Sequence, residues 1–279
     1  MSKNIADILS TLENGVHTLM NSNNFKDYLR FMASFPSYSY RNSLLLYLQC
    51  KERGTVPSLF APYRKIQQMH RHIKKGAKSY YVIAPHQYKK KKSDGTDEEK
   101  LGFHIAHTFE VLSQSEPDDA SGEIPELCQR LTGDLSDTSL LDTIVSVSPV
   151  PVSFEPIPGD ANGFFDKTQL SICVDNSNAK TQQVKTLLHE IAHAWHYSLD
   201  PDFETSSTAT KETIAEATAY TVCQHLNISS EDYSFGYLAL YNKNDKDLSV
   251  FKQNLKLIQK ISNQIINDIE DTLDASIIT

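Results

Sequence analysis

Five residues, His189-Glu190-Ile191-Ala192-His193, limit what this chain can become more than any others. They lie within Lys180 to Tyr197, where Val184, Leu187, Leu188, Ile191, Ala192 and Trp195 recur at helical spacing and Pro201 stands beyond the end. Four residues advance an α-helix by slightly more than one turn, so His189 and His193 share a face and both imidazoles can reach one ion. Glu190 sits about a hundred degrees round from His189, where it can flank that ion without filling its coordination sphere. A general base that takes a proton from a metal-bound water needs that place. An isolated HExxH string also arises by chance, with a core histidine and a solvated glutamate. Here strand-like segments precede the helix, and a second helix carrying paired glutamates follows it.

A catalytic zinc usually takes three protein ligands. The next helix, expected from about Thr210 to Leu226, offers KETIAEATAY, in which Glu212 and Glu216 are four apart and share a face. Glu212 is the choice for the third ligand, because a helix packed beside the first can bring its first turn to the ion. Glu216, one turn on, is placed to accept the spare N–H of His189 or His193, although spacing alone allows the two roles to be exchanged. Two imidazoles and a carboxylate suit Zn2+ and leave a fourth position for water, with Glu190 passing the proton on to the leaving amine of an unidentified protein substrate. Tyr220, His225, Tyr233 and Tyr237 are the available oxyanion donors, and QLSICV is expected at a sheet edge beside the metal, pairing with an extended peptide. His196 reads as a helix-end residue.

Charge divides the chain. Residues 1 to 100 hold 17 Lys/Arg against 8 Asp/Glu, whereas residues 101 to 279 hold 10 against 27; between Arg53 and Ser93 there are 11 basic residues and no acid. YRKIQQMHRHIKKGAKSYYVIAPHQYKKKK interleaves Arg64, Lys65, Arg71, Lys74, Lys75 and Lys78 with tyrosines that include Tyr80. Cations can meet phosphates while aromatic faces stack on unpaired bases, which favours single-stranded nucleic acid. Residues 4 to 50 read as mainly helical, and the leucine run 44–48 reads as an apolar helix or a buried strand. KSYYVIAP, ended by Pro85, and GFHIAHTFEVLSQ read as paired strands joined by a charged hairpin connection. The expected fold is α+β: a small basic α+β domain over residues 1–115, a linker and connecting segment over 116–149, and a zincin-like metallopeptidase domain over 150–279. PVSFEPIP, GFF and QLSICV are its expected strands, and a tail helix is expected from about Leu248 to Leu273. No apolar run is long enough to span a membrane and no secretory leader opens the chain, so a cytoplasmic protein with four free cysteines is expected.

Both halves resemble one family. YSYRNSLLLYLQC, FAPYRKIQQMHRHIKKGAKSYYVIAP and FHIAHTFEVLSQ are similar to the amino-terminal domain of ArdC-type antirestriction proteins, and LLHEIAHAWHY, KETIAEATAYTVCQHLNI and EDYSFGYLALYN resemble their metallopeptidase domain. The resemblance spans about residues 20 to 242. It implies a domain that binds single-stranded DNA joined to a zincin, carried by mobile genetic elements and protecting incoming DNA. It also implies zinc ligands at His189, His193 and Glu212, with Glu190 as the catalytic carboxylate. The ExxxE pattern is similar to the second motif helix of thermolysin-like peptidases. The alternative reading is a non-catalytic DNA-shielding protein with a structural zinc site.

Overall fold

The computed structural model describes residues 5–91, 97–119, 138–229, 240 and 248–277. Helices and strands mix throughout, as an α+β protein requires. The chain divides into two units, Met1–Thr18 with Arg41–Cys128 and Leu19–Tyr40 with Gln129–Thr279.

Three helices open the chain: α1 (Ile5–Thr18), α2 (Ser22–Ser34) and α3 (Tyr40–Arg53). The leucine run is therefore helical, and Leu44, Leu45 and Leu46 are all fully buried in the first unit. Each such side chain contributes about 1.5–3 kcal/mol relative to exposure. Beyond α3 come β1 (Phe60–Ala61), α4 (Tyr63–Gln68), β2 (Arg71–Ile73), β3 (Tyr80–Lys91), β4 (Asp97–Glu110), α5 (Val111–Gln114) and β5 (Ser115–Pro117). One sheet runs β1-β4-β3 and a second pairs β2 with β5, all antiparallel.

Strand β3 continues through Pro85, where the sequence places its end. It is an edge strand, and the outward N–H groups of Tyr81 and Ile83 are taken by the side-chain oxygens of Gln49 (3.0 Å) and Asn42 (2.9 Å). By the two-residue period, Pro85 presents its missing N–H to the same outer edge, where no ladder bond is lost. Gln49 and Asn42 also donate to the Tyr81 and Ile83 carbonyls, each at 2.9 Å. Two amides, two helical turns apart on α3, thus do the work of a neighbouring strand and cover an edge that would otherwise invite pairing. The following segment also departs from its expected strand. Glu110 caps α5 by accepting the Ser113 N–H at 2.7 Å, so the backbone turns helical at Val111.

The second unit adds α6 (Thr138–Ser146), β6 (Val152–Glu155), β7 (Gly163–Asp166), β8 (Ser171–Asp175), α7 (Lys180–Leu199), α8 (Thr208–His225) and α9 (Ser249–Ile277). Its sheet runs β6-β8-β7, with β8 parallel to β6 and antiparallel to β7. QLSICV therefore supplies the central strand and not the expected edge, because both its sides are already paired; β6 and β7 are the edges, and β7 is the one beside α7. Helix α8 buries Ala215, Ala217, Thr218, Ala219 and Thr221, small residues that let α7, α9 and α2 approach it closely. Helix α9 packs along an apolar stripe of Phe251, Leu255, Ile258, Ile261, Ile265 and Ile269. Phe251 meets Phe25 of α2 at 6.5 Å between ring centroids, which ties residues 19–40 into this unit. Among the described residues, no helix is long and apolar enough to cross a membrane.

Candidate metal centre and basic surface

Helices α7 and α8 bring His189, His193 and Glu212 together. The two Nε2 atoms stand 3.1 Å apart, and the Glu212 carboxylate oxygens lie 3.3 Å from His189 Nε2 and 3.4 Å from His193 Nε2. The imidazole planes meet at 77°, so both rings aim at one point instead of stacking. A tetrahedral ion with ligand bonds of about 2.05 Å holds its ligand atoms about 3.3 Å apart; the two Nε2 atoms are near that spacing, and each faces its own Glu212 oxygen, Oε2 for His189 and Oε1 for His193. This trio is the cluster among the described residues able to hold a metal ion. Ser207 helps to set the phase of α8: its hydroxyl accepts the Thr210 N–H at 3.1 Å and starts the helix so that Glu212 falls in the first two turns.

The electrostatics follow from this crowding. Hydrogen bonds from His189 and His193 hold the Glu212 carboxyl well below the usual range. Burial alone would lower the His189 pKa, but the bond to Glu212 and the nearby charges of Glu190, Glu212 and Glu216 raise it. Glu190 is 7% exposed, and burial raises its pKa against the pull of the two histidines. Burial likewise raises that of Glu216, which lines the same cleft and acts on His189 through its charge.

The cleft has a volume of about 710 Å³ and is lined by β7, α7 and α8, with Phe164, Phe165, Lys185 and Lys211 among its walls. Two of its features escape the sequence reading. The Phe165 backbone N–H lies close enough to Glu190 to lower its pKa, which sets the edge strand beside that carboxylate. Gly163 lets β7 approach α7: a Cβ there would stand 2.5 Å from Thr186 Cγ2 and 2.9 Å from the Cys173 carbonyl. A lone glycine before two phenylalanines carries the only local hint, and nothing in it names the partner helix.

Of the expected oxyanion donors, Tyr220 is fully buried with Lys26 5.5 Å from its ring centroid, and His225 bridges the Ala33 carbonyl and Glu270 at 2.8 Å each. Both are turned into the helical packing and away from the cleft walls. Tyr233 and Tyr237 lie outside the described residues. His196 is buried at the end of α7, with Nε2 3.1 Å from Asp200 Oδ2.

In the first unit the expected nucleic-acid residues separate into two groups. Arg64 and Lys65 on α4 are exposed, as are Lys75 and Lys78, while Lys74 is half-buried and donates to the Ser113 carbonyl at 3.0 Å. Arg71 and Tyr80 do not belong with them. Arg71 is 6% exposed and spends its guanidinium on the Ser115 hydroxyl and carbonyl. Tyr80 is 2% exposed, with Arg53 3.9 Å from its ring centroid and Phe60 packed edge-on at 5.0 Å. Neither can offer a face to a base or a charge to a phosphate, because each is already packed within the unit.

Comparison with known proteins divides the chain in a corresponding way. Residues 1–112 match the family described as the N-terminal domain of anti-restriction factor ArdC, and residues 146–250 match the IrrE N-terminal-like domain family, Peptidase_M78. An uncharacterised protein of Bacillus anthracis, pXO2-81, is 27% identical over 106 residues, which make up 38% of this chain and 18% of that protein. The match thus spans less than a fifth of that relative's length. Crystal structures of the antirestriction ArdC protein from plasmid R388 share the fold at 18% identity. The metal-free form has a TM-score of 0.55, with 84% of this chain and 86% of that one covered. The Mn(II)-bound form has a TM-score of 0.51, with coverage of 83% and 85%.

Proposed function

Because the chain is an ArdC-type protein, an ArdC N-terminal domain followed by an IrrE-like peptidase domain, we propose that it is a zinc-dependent peptidase acting at single-stranded DNA, with an antirestriction role. The observation that carries the reading is the convergence of His189, His193 and Glu212, close enough to share one ion, beside a buried Glu190. His189 Nε2, His193 Nε2 and the Glu212 carboxylate would hold the ion, and Glu216 would tune His189 through its charge.

A bound Zn2+ would supply Lewis acidity, polarising a peptide carbonyl and acidifying a water. The rest falls to the protein's own groups. Glu190, kept at a raised pKa by burial, takes a proton from the attacking water and delivers it to the leaving amine. The Phe165 N–H lies beside that carboxylate and favours its charged form. The open edge of β7 pairs with the backbone of an extended substrate, while Phe164 and Phe165 exclude water on that side. In the first unit, exposed Arg64, Lys65, Lys75 and Lys78 meet phosphates, so DNA affinity falls with added salt as counterions are released.

Elemental analysis of the purified chain tests the metal, with one zinc per chain expected and its absence after zinc reconstitution overturning the reading. Glu190→Gln should retain that zinc and abolish cleavage of a protein substrate. Unimpaired cleavage would remove Glu190 from the base role. Unchanged DNA protection by the same variant would instead favour a non-catalytic shield with a structural zinc.

A further inference from the structure

The hairpin of β3 and β4 carries a surface that neither the metal centre nor the expected phosphate contacts use. Register places His86 opposite Gly102, Tyr88 opposite Lys100 and His104 opposite Ala84, so the three ring-bearing residues stand on one face. His86 sits between the other two. Its ring centroid is 5.7 Å from that of Tyr88, with the planes inclined at 32°, and 5.4 Å from that of His104, with the planes at 72°. All three side chains are exposed, Tyr88 by 44%.

Gly102 makes the cluster possible. A Cβ there would stand 2.7 Å from His86 Cε1 and 3.1 Å from Tyr88 Cε1, so the two rings lie across the strand backbone itself. Rings held this way pack across the strands over the glycine while leaving their outer faces in water.

We propose that His86, Tyr88 and His104, resting on Gly102, form a stacking platform for unpaired bases of single-stranded DNA. The platform rests on the proposed single-strand reading and gives it a location. An unpaired base offers a flat π-face that duplex stacking hides, and aromatic side chains take it with little regard to sequence. Two rings that sandwich a base must stand about 7 Å apart, twice a van der Waals contact of about 3.5 Å. His86 and Tyr88 are closer than that, so the base stacks on the outer face of the cluster and not between the rings. Charge complementarity supports a polyanion as the occupant, since the hairpin's first strand belongs to the acid-free stretch from Arg53 to Ser93. At the far end of the hairpin, Lys89 and Lys91 face Glu99 and Asp97, which offsets their charge. Phosphate contacts therefore fall mainly to Arg64, Lys65, Lys75 and Lys78, and the platform contributes stacking.

Fluorescence anisotropy of a labelled oligothymidylate with the full chain, at low and moderate salt, tests this assignment. Tyr88→Ala should weaken binding about thirtyfold, the middle of what one lost base–aromatic stack costs. Tyr88→Phe should bind like wild type, because the ring and not the hydroxyl is used. The salt dependence of Tyr88→Ala should match that of wild type, since no phosphate contact is removed, whereas Lys75→Gln with Lys78→Gln should flatten it. The residues are exposed, so the variants should fold, and circular dichroism checks this. If Tyr88→Ala and the His86→Ala/His104→Ala double variant both bind as tightly as wild type, the platform is refuted while single-strand binding stands. A wild-type chain that ignores the oligonucleotide refutes both. Equal competition by a blunt duplex of the same length also overturns the platform, because a duplex hides the faces it would read.

Discussion

Replacing Glu110 with glutamine should destabilise the N-terminal unit by about 3 kcal/mol near neutral pH. The residue is 1% exposed. Its Oε1 accepts the Ser58 N–H at 2.8 Å, the Leu59 N–H at 3.3 Å and the Ser58 hydroxyl, and its Oε2 accepts the Ser113 N–H at 2.7 Å and the Ser113 hydroxyl. Burial would raise the pKa of this carboxyl, but the bonds from Ser113 and Ser58 outweigh it and hold the value below the ordinary one. Glutamine keeps the shape and one acceptor, yet turns an NH2 group toward backbone donors that cannot rotate away. A hydrogen bond to a charged acceptor contributes about 1.5–3 kcal/mol, and a buried donor left unpaired costs about 1–3 kcal/mol, which together set the figure. The sign of the pH dependence follows from the depressed folded-state pKa. The stabilisation is full above the unfolded value of about 4.3 and is lost as pH falls through the folded value. Wild type and variant should therefore converge in acid. Native-state hydrogen exchange at Ser58, Leu59 and Ser113 reads the effect locally, with protection reduced roughly a hundredfold in the variant at neutral pH. Wild-type protection at all three amides would refute the reasoning, and a gap that does not narrow in acid would refute the role of the charge.

Gly163→Ala should lower thermal stability by about 1–3 kcal/mol, because the new methyl meets both Thr186 Cγ2 and the Cys173 carbonyl. An unchanged melting temperature would mean that β7 can withdraw from α7 without cost. Cys50 is 4% exposed, and burial pushes its thiol up to about 12, against the lowering effect of Arg53. Peptide mapping after brief treatment with a thiol reagent at mildly alkaline pH should find Cys173 labelled well before Cys50, and rapid native-state labelling of Cys50 would contradict its burial.

The geometry of the candidate metal centre is legible in the sequence because most of it is local. The i, i+4 spacing of His189 and His193 and the position of Glu190 follow from helical pitch alone. Glu212 needs one further step, that two neighbouring helices pack side by side, and the short connection between them makes that step small. What escapes is the approach of β7. Nothing near Gly163 announces that its missing side chain makes room for Thr186, or that the Phe165 N–H turns toward Glu190.

The basic unit was less legible for a related reason. Composition counts cations and aromatics but does not say which are consumed by packing, so Arg71 and Tyr80 look like ligand-binding groups until Ser115 and Arg53 are seen beside them. Pro85 misleads in the opposite direction. A proline reads as the end of a strand unless the outer edge of that strand is known, and here the edge is defined by Asn42 and Gln49, about forty and thirty residues earlier on a helix. These two amides flank the leucine run of a helix that also carries Arg41, Ser43, Lys51, Glu52 and Arg53, so nothing in the sequence sets them apart from its other polar residues. Their physical requirement is strict, since each can satisfy a strand N–H and C=O only when the helix lies alongside the edge. Beyond Pro85 the strand, and with it the exposed cluster of His86 and Tyr88, is carried by its pairing with β4, which a proline on the outer edge does not interrupt.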